Sequence, residues 1–183
     1  DPRVRRTVET LAAPLIEQAR RDLQVPYQVY VTADPAVNAY ALPGGAIILP
    51  AGFLLYAERP EEVAGVLAHE VAHISERHSM QRAITGISLQ LVLTLVLNDM
   101  SAVVQYFVAQ GANLLTLAHS REHEREADRL GYDYLVEAGI DPSGLADFFR
   151  RLAATQGETS TGFPRGLENM LRTHPVTQER IET

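Results

Sequence analysis

A chain of 183 residues, 46% of them hydrophobic, is long enough for one domain with a substantial core. Its formal net charge of −7, with basic residues scattered rather than clustered, gives no footprint for nucleic acid. The absence of cysteine excludes disulfides and thiolate metal sites while leaving the redox compartment open.

Val4, Val8, Leu11, Leu15, Ala19 and Leu23 recur at helical intervals, so Pro2 to Leu23 is expected to form a helix. Tyr27 to Thr32 carries the β-branched and aromatic side chains of a strand, and Asp34-Pro35 turns the chain after it. Ala39 to Leu42 and Ala46 to Leu49, joined through Gly44-Gly45, read as a hairpin.

A second helix is expected from Pro60. Proline suits the first turn, Glu61 and Glu62 complement the positive N-terminus, and Val63, Val66, Leu67, Val71 and Ile74 supply an apolar stripe. Within it stands His69-Glu70-Val71-Ala72-His73. Residues four apart on a helix are rotated by only about 40° and separated by roughly 6 Å along the axis, so both imidazoles can converge on one ion. Glu70 lies on the neighbouring flank, placed to face a metal-bound water. Two histidines with a glutamate between them are a zinc-hydrolase signature. His78, five residues beyond His73, would be rotated by roughly 140° on a continuing helix and so face away from the metal.

From Ala83 to Ser120 the only formally charged residue is Asp99. Ile84 to Leu97 is too short to span a bilayer, and Asn98-Asp99 interrupts the run before Ala102 to Leu117 resumes it. This segment, about 83–118, reads as a helical hairpin, either buried or serving as a lid with peripheral membrane contact.

Residues 119 to 131 are dense in potential ligands. Glu124 and Asp128 share a helix face, where one carboxylate can bind a metal and the other can orient a ligand histidine. His119 and His123 are also four apart, and spacing alone would allow either to approach a metal. Glu122 and Glu126, with Arg121 and Arg125, read as a solvated face. Gly139 stops this helix, and Asp141-Pro142 caps the next, which carries Leu145, Phe148, Phe149 and Leu152. Gln156 to Gly166 is a Gly, Ser and Thr-rich loop, and Thr177 begins a helix that the end of the chain truncates. The fold class is α+β, predominantly helical, with a small sheet beside the motif helix.

Three segments in order, Asn38-Ala39-Tyr40-Ala41-Leu42-Pro43-Gly44-Gly45, His69-Glu70-Val71-Ala72-His73 and Glu124-Arg125-Glu126-Ala127-Asp128-Arg129, resemble the zinc metallopeptidases related to HtpX and the CAAX prenyl proteases. The BepA-type and YggG-type members of the bacterial envelope are nearest in pattern, and the resemblance spans about residues 36 to 176. It implies a gluzincin site with one zinc per chain held by His69, His73 and Glu124, with Asp128 in support. It also implies that Asn38, Ala39, Tyr40, Ala41, Leu42, Pro43 and Gly44 form a substrate edge, along which an extended peptide adds as a strand. His174, in Arg172-Thr173-His174-Pro175, corresponds to a histidine that can approach the zinc as a fourth ligand. Pro175 restricts it to an extended backbone.

The expected function is that of a zinc-dependent metalloendopeptidase. It would hydrolyse peptide bonds in unfolded or misassembled proteins, with Glu70 as general base toward zinc-bound water. The alternative is a latent zinc-bound chaperone or assembly factor, its proteolysis suppressed by His174 or the lid. Arg129, Tyr132 and His174 are candidates for stabilising the oxyanion. The resemblance places the protein in the bacterial periplasm or envelope. The chain starts at Asp1 without a signal-peptide pattern, as expected of a fragment from which an export signal or anchor has been removed.

Overall fold

The computed structural model describes residues 1–85, 120–156, 166–177 and 180. The chain runs α1 (Pro2–Asp22), β1 (Gln28–Thr32), β2 (Tyr40–Ala41), β3 (Ala46–Pro50), α2 (Ala51–Tyr56), α3 (Pro60–Ser75), α4 (His78–Thr85), α5 (Arg121–Glu137), α6 (Ser143–Gln156) and α7 (Leu167–Thr173). The apolar hairpin expected at about 83–118 lies almost wholly outside the described residues, as do His119 and most of the expected C-terminal helix.

Local chemistry sets these boundaries. Asp1 caps α1 by accepting a hydrogen bond from Arg3 N at 2.8 Å. Pro60 occupies the first turn of α3, as expected, with Glu61 and Glu62 beside it. Ser120 Oγ accepts from His123 N and starts α5, while Gly139, with φ of 69°, follows its end. Asp141 Oδ1 accepts from Ser143 N at 2.9 Å and opens α6. Two short helices, α2 and α7, carried no recognisable period in the sequence.

The sheet has the order β1-β3-β2. β1 runs parallel to β3, with Tyr30 opposite Ile48, and β2 runs antiparallel to it, with Tyr40 opposite Ile48 on the other side. The expected hairpin is therefore present, but its first strand holds only two ladder residues. Gly44 and Gly45 both have positive φ in the connection, a conformation that side chains with a Cβ resist.

Helix α3 is the centre of the core. Every residue from Glu62 to Ile74 is buried, because α1, α5, α6 and β2 all pack against it. An apolar stripe was all the sequence displayed, yet the polar face is covered too. Glu62 is satisfied there by Glu58 N and Arg151. At Gly131, α5 approaches α3 so closely that a Cβ would lie 3.1 Å from His69 N, which brings the acidic helix against the histidine-bearing one.

Helix α3 ends at Ser75, and Arg77 takes a left-handed φ of 59° before α4 begins at His78. The helical rotation expected for His78 therefore does not apply. The kink returns its ring toward His73.

Candidate active site

α3 carries His69, Glu70 and His73; α5 carries Glu124 and Asp128; and His174 stands at the C-terminal end of α7. All are buried except Asp128, which is partly so. His174 N bonds to Met170 O at 2.8 Å, and its extended backbone, with φ of −126° and ψ of 82°, fits a residue preceding proline.

Four of these residues converge. His69 Nε2 lies 3.0 Å from His73 Nε2, 3.1 Å from His174 Nδ1 and 3.5 Å from Glu124 Oε2. Glu124 Oε1 lies 3.3 Å from His73 Nε2, and 3.3 Å also separates it from His174 Nδ1. Donor atoms about 2.0–2.1 Å from a tetrahedral zinc stand about 3.3–3.4 Å apart, so these separations and this nitrogen and oxygen set fit that ion.

The surroundings act differently on the buried donors. Burial opposes protonation of His69, but Asp128 and Glu124 outweigh it and lift its pKa to about 9. Burial, reinforced by the neighbouring His69, pushes His73 well below the ordinary histidine value. Burial would raise the Glu124 carboxyl, yet His174 and His69 hold it well below the usual carboxylate range. Asp128 is likewise lowered, with burial overcome by His69 and then Arg180.

Three of the four donors also have a partner behind them. His69 Nδ1 lies 2.9 Å from Asp128 Oδ1, close in distance though without an aligned hydrogen bond. Arg180 grips Asp128 through Nε at 2.6 Å and Nη2 at 2.9 Å, and its Nη1 reaches Glu124 Oε2 at 2.7 Å. Phe149 lies under the guanidinium at 4.2 Å. Behind His73 stands His78, 2.9 Å away between Nδ1 atoms, and Glu126 Oε2 lies 3.0 Å from His78 Nε2. Glu126 is therefore not simply part of a solvated face.

Glu70 stands apart from this pairing. Its carboxylate is fully buried, and among the described residues neither oxygen has a hydrogen bond; His174 Nε2 lies 3.5 Å from Oε1. A cleft opens beside it, lined by Ala39 to Pro43, Glu70, Arg82 and His174. Ala39, Tyr40, Ala41, Leu42 and Pro43 of the expected substrate edge thus face one space with Glu70. Asn38 and Gly44 do not line it: Asn38 is buried, with Oδ1 accepting from Ala39 N at 2.9 Å, and Gly44 is exposed at the turn. Ser79 Oγ donates to Ala41 O at 2.7 Å, holding α4 against this edge.

The other candidate side chains stand elsewhere. His123 stacks on His78, with ring centroids 4.1 Å apart, and stays outside the four-donor group. Arg129 is exposed and 3.9 Å from Asp133, and Tyr132 is 44% exposed, so of the three oxyanion candidates only His174 reaches the centre. Arg180 and His78 were not singled out as site residues, because a lone arginine near the chain end carries no spacing signal and the break after Ser75 is set by packing.

Histidines and a glutamate gathered from separate helices, beside a buried glutamate with no hydrogen bond among the described residues, define the donor chemistry of a metal-dependent hydrolase. The chain belongs to Peptidase family M48, which it matches over residues 1–183. It is 30% identical over 191 residues to a putative beta-barrel assembly-enhancing protease of Vibrio cholerae, covering 99% of this chain and 38% of that protein. It is 31% identical over 157 residues to the mitochondrial metalloendopeptidase OMA1 of Schizosaccharomyces pombe, covering 85% of this chain and 44% of that protein. Identity to the metalloprotease YcaL of Escherichia coli is 31% over 173 residues, 86% of this chain and 60% of that one. The chain thus spans about two fifths of the length of the assembly-enhancing proteases it matches. Among the described residues, no helix is long and apolar enough to cross a membrane.

Proposed function

We propose that this chain is a zinc-dependent metalloendopeptidase domain acting on unfolded or misassembled proteins of the bacterial envelope. The observation that carries this reading is the buried Glu70 carboxylate, without a hydrogen bond among the described residues, beside a four-donor group sized for one tetrahedral ion. His69, His73 and Glu124 would hold one zinc, Asp128 would orient His69, and the gluzincin arrangement follows from those roles. Bound zinc would supply a Lewis acid that polarises the scissile carbonyl and acidifies water.

Glu70 takes the proton of the attacking water and returns one to the leaving amine. The peptide lies extended along Ala39 to Pro43, where the cleft meets Glu70. An extended strand is available in unfolded protein and scarce in compact protein, so this edge selects the former. Relatives named for beta-barrel assembly support an envelope role.

A second reading is favoured by His174, whose Nδ1 already belongs to the four-donor group. In this reading His174 fills the fourth position, the domain is latent, and it acts as a zinc-bound chaperone or assembly factor until His174 withdraws. Metal analysis tests the zinc shared by both readings. A casein digest by wild type, Glu70→Gln and His174→Ala tests the peptidase. Loss of cleavage in Glu70→Gln supports it, and no cleavage by wild type or His174→Ala would leave only the binding role.

A further inference from the structure

His73 presents its two ring nitrogens to two different settings. Nε2 faces the donor group, 3.0 Å from His69 Nε2 and 3.3 Å from Glu124 Oε1, while Nδ1 faces His78 Nδ1 at 2.9 Å. Beyond it, His78 Nε2 meets Glu126 Oε2 at 3.0 Å. A neutral imidazole has one hydrogen and one lone pair, so assigning a role to any atom of this chain assigns the others. If His73 Nε2 offers its lone pair inward, its hydrogen sits on Nδ1 and is donated to His78 Nδ1. The single hydrogen of His78 then sits on Nε2 and is donated to the Glu126 carboxylate. Every donor meets an acceptor.

We propose that His78, anchored by Glu126, is a positioning residue that fixes His73 with its hydrogen on Nδ1 and thereby raises the affinity of the site for its metal. The inference rests on the zinc reading above. His78 is 1% exposed, and its ring is held flat by stacking on His123 with an interplanar angle of 17°. The left-handed turn at Arg77 delivers it to the rear of His73. The two α3 histidines are therefore supported by different means: His69 by a carboxylate neutralised by Arg180, and His73 by a neutral ring passing its hydrogen to a carboxylate. Outer partners of this kind typically change metal affinity by about 10- to 100-fold.

The test uses the full chain loaded with Zn(II), with the dissociation constant read by competition against a chromogenic chelator. His78→Leu and Glu126→Leu are expected to weaken zinc by roughly 10- to 100-fold. Glu126→Gln, which keeps an acceptor oxygen, is expected to recover most of the affinity. Nitrogen-15 spectra of the histidine-labelled, zinc-loaded wild type should show His78 carrying its hydrogen on Nε2, with Nδ1 free to accept from His73, and this readout decides the matter alone if a variant fails to fold. Zinc affinities within twofold of wild type in folded variants, or a His78 hydrogen on Nδ1, would overturn the positioning role while leaving the zinc reading intact. A wild type that binds no zinc would overturn both.

Discussion

Arg180 Nη1 lies 2.7 Å from Glu124 Oε2, so a cation from near the end of the chain rests against a carboxylate of the donor group. The same guanidinium holds Asp128 at two points, and Arg180 is only 6% exposed. Removing one partner from such a buried set strands the charge left behind, at about 3–5 kcal/mol. Arg180→Met, which keeps much of the apolar volume over Phe149, is expected to lose about that much stability in metal-free protein. Urea unfolding in the presence of a chelator measures it; an unchanged midpoint would mean that Glu124 and Asp128 find compensation elsewhere.

Glu70 has the opposite character, being buried and yet without a hydrogen bond among the described residues. A carboxylate in that condition normally costs stability, so its retention beside the donor group is best explained by chemistry. Glu70→Gln preserves shape and removes the basic oxygen. The expected result is full zinc content with cleavage reduced by about 10²–10⁴-fold, the usual contribution of general acid–base catalysis. Zinc analysis and a casein digest on the same preparation check both halves, and wild-type cleavage by the variant would dismiss Glu70 as the base.

How much of this was legible in the sequence depends on the range of each interaction. Helical periodicity and the end signals at Pro60, Gly139 and Asp141 are local, and they placed α1, the start of α3, the end of α5 and the start of α6 within a few residues of the observed bounds. The i, i+4 spacing of His69 with His73 and of Glu124 with Asp128 put each pair on one helix face, while resemblance to the family chose Glu124 over His119 and His123. His78 was misplaced because the end of α3 at Ser75 and the left-handed Arg77 are set by the packing of α4 on β2 through Ser79 and Ala41, a contact 38 residues apart. Arg180 reaches Asp128 across 52 residues, a separation that no window on the sequence spans. The short α2 and α7 offered too few turns for a period to register.

His174 lies between the two halves of the proposed chemistry. Its Nδ1 stands 3.1 Å from His69 Nε2 and its Nε2 stands 3.5 Å from Glu70 Oε1. In the latent reading proposed above, a ring in that place would block water and substrate alike. His174→Ala is expected to increase casein cleavage by a domain that otherwise turns over slowly, while weakening zinc because one donor is gone. Initial rates at saturating zinc separate these effects. A fall in rate would instead assign His174 a positive role, such as stabilising charge on the substrate oxygen.

Metal removal should be felt by the fold as well as by catalysis. The donors come from α3, α5 and the end of α7, and with no ion present the group must keep nitrogens and a carboxylate within 3.0–3.5 Å of one another. A ligand that binds only the folded state adds RT ln(1 + [L]/Kd) to its stability, about 2.7 kcal/mol when zinc is at 100 times its Kd. Chelation is therefore expected to lower the melting temperature, and re-addition of zinc to restore it. The three donor-bearing helices are predicted to respond unequally. Deep within the core, α3 is held by packing on all sides, whereas the seven-residue α7 rests on few buried groups, among them Leu167 and Met170. Hydrogen exchange should therefore speed up first at α7 on zinc removal, with the amide of His174, bonded to Met170 O, among the earliest to lose protection. Uniform loss of protection across α3, α5 and α7 would mean that the ion is built into the core rather than clasped at its edge.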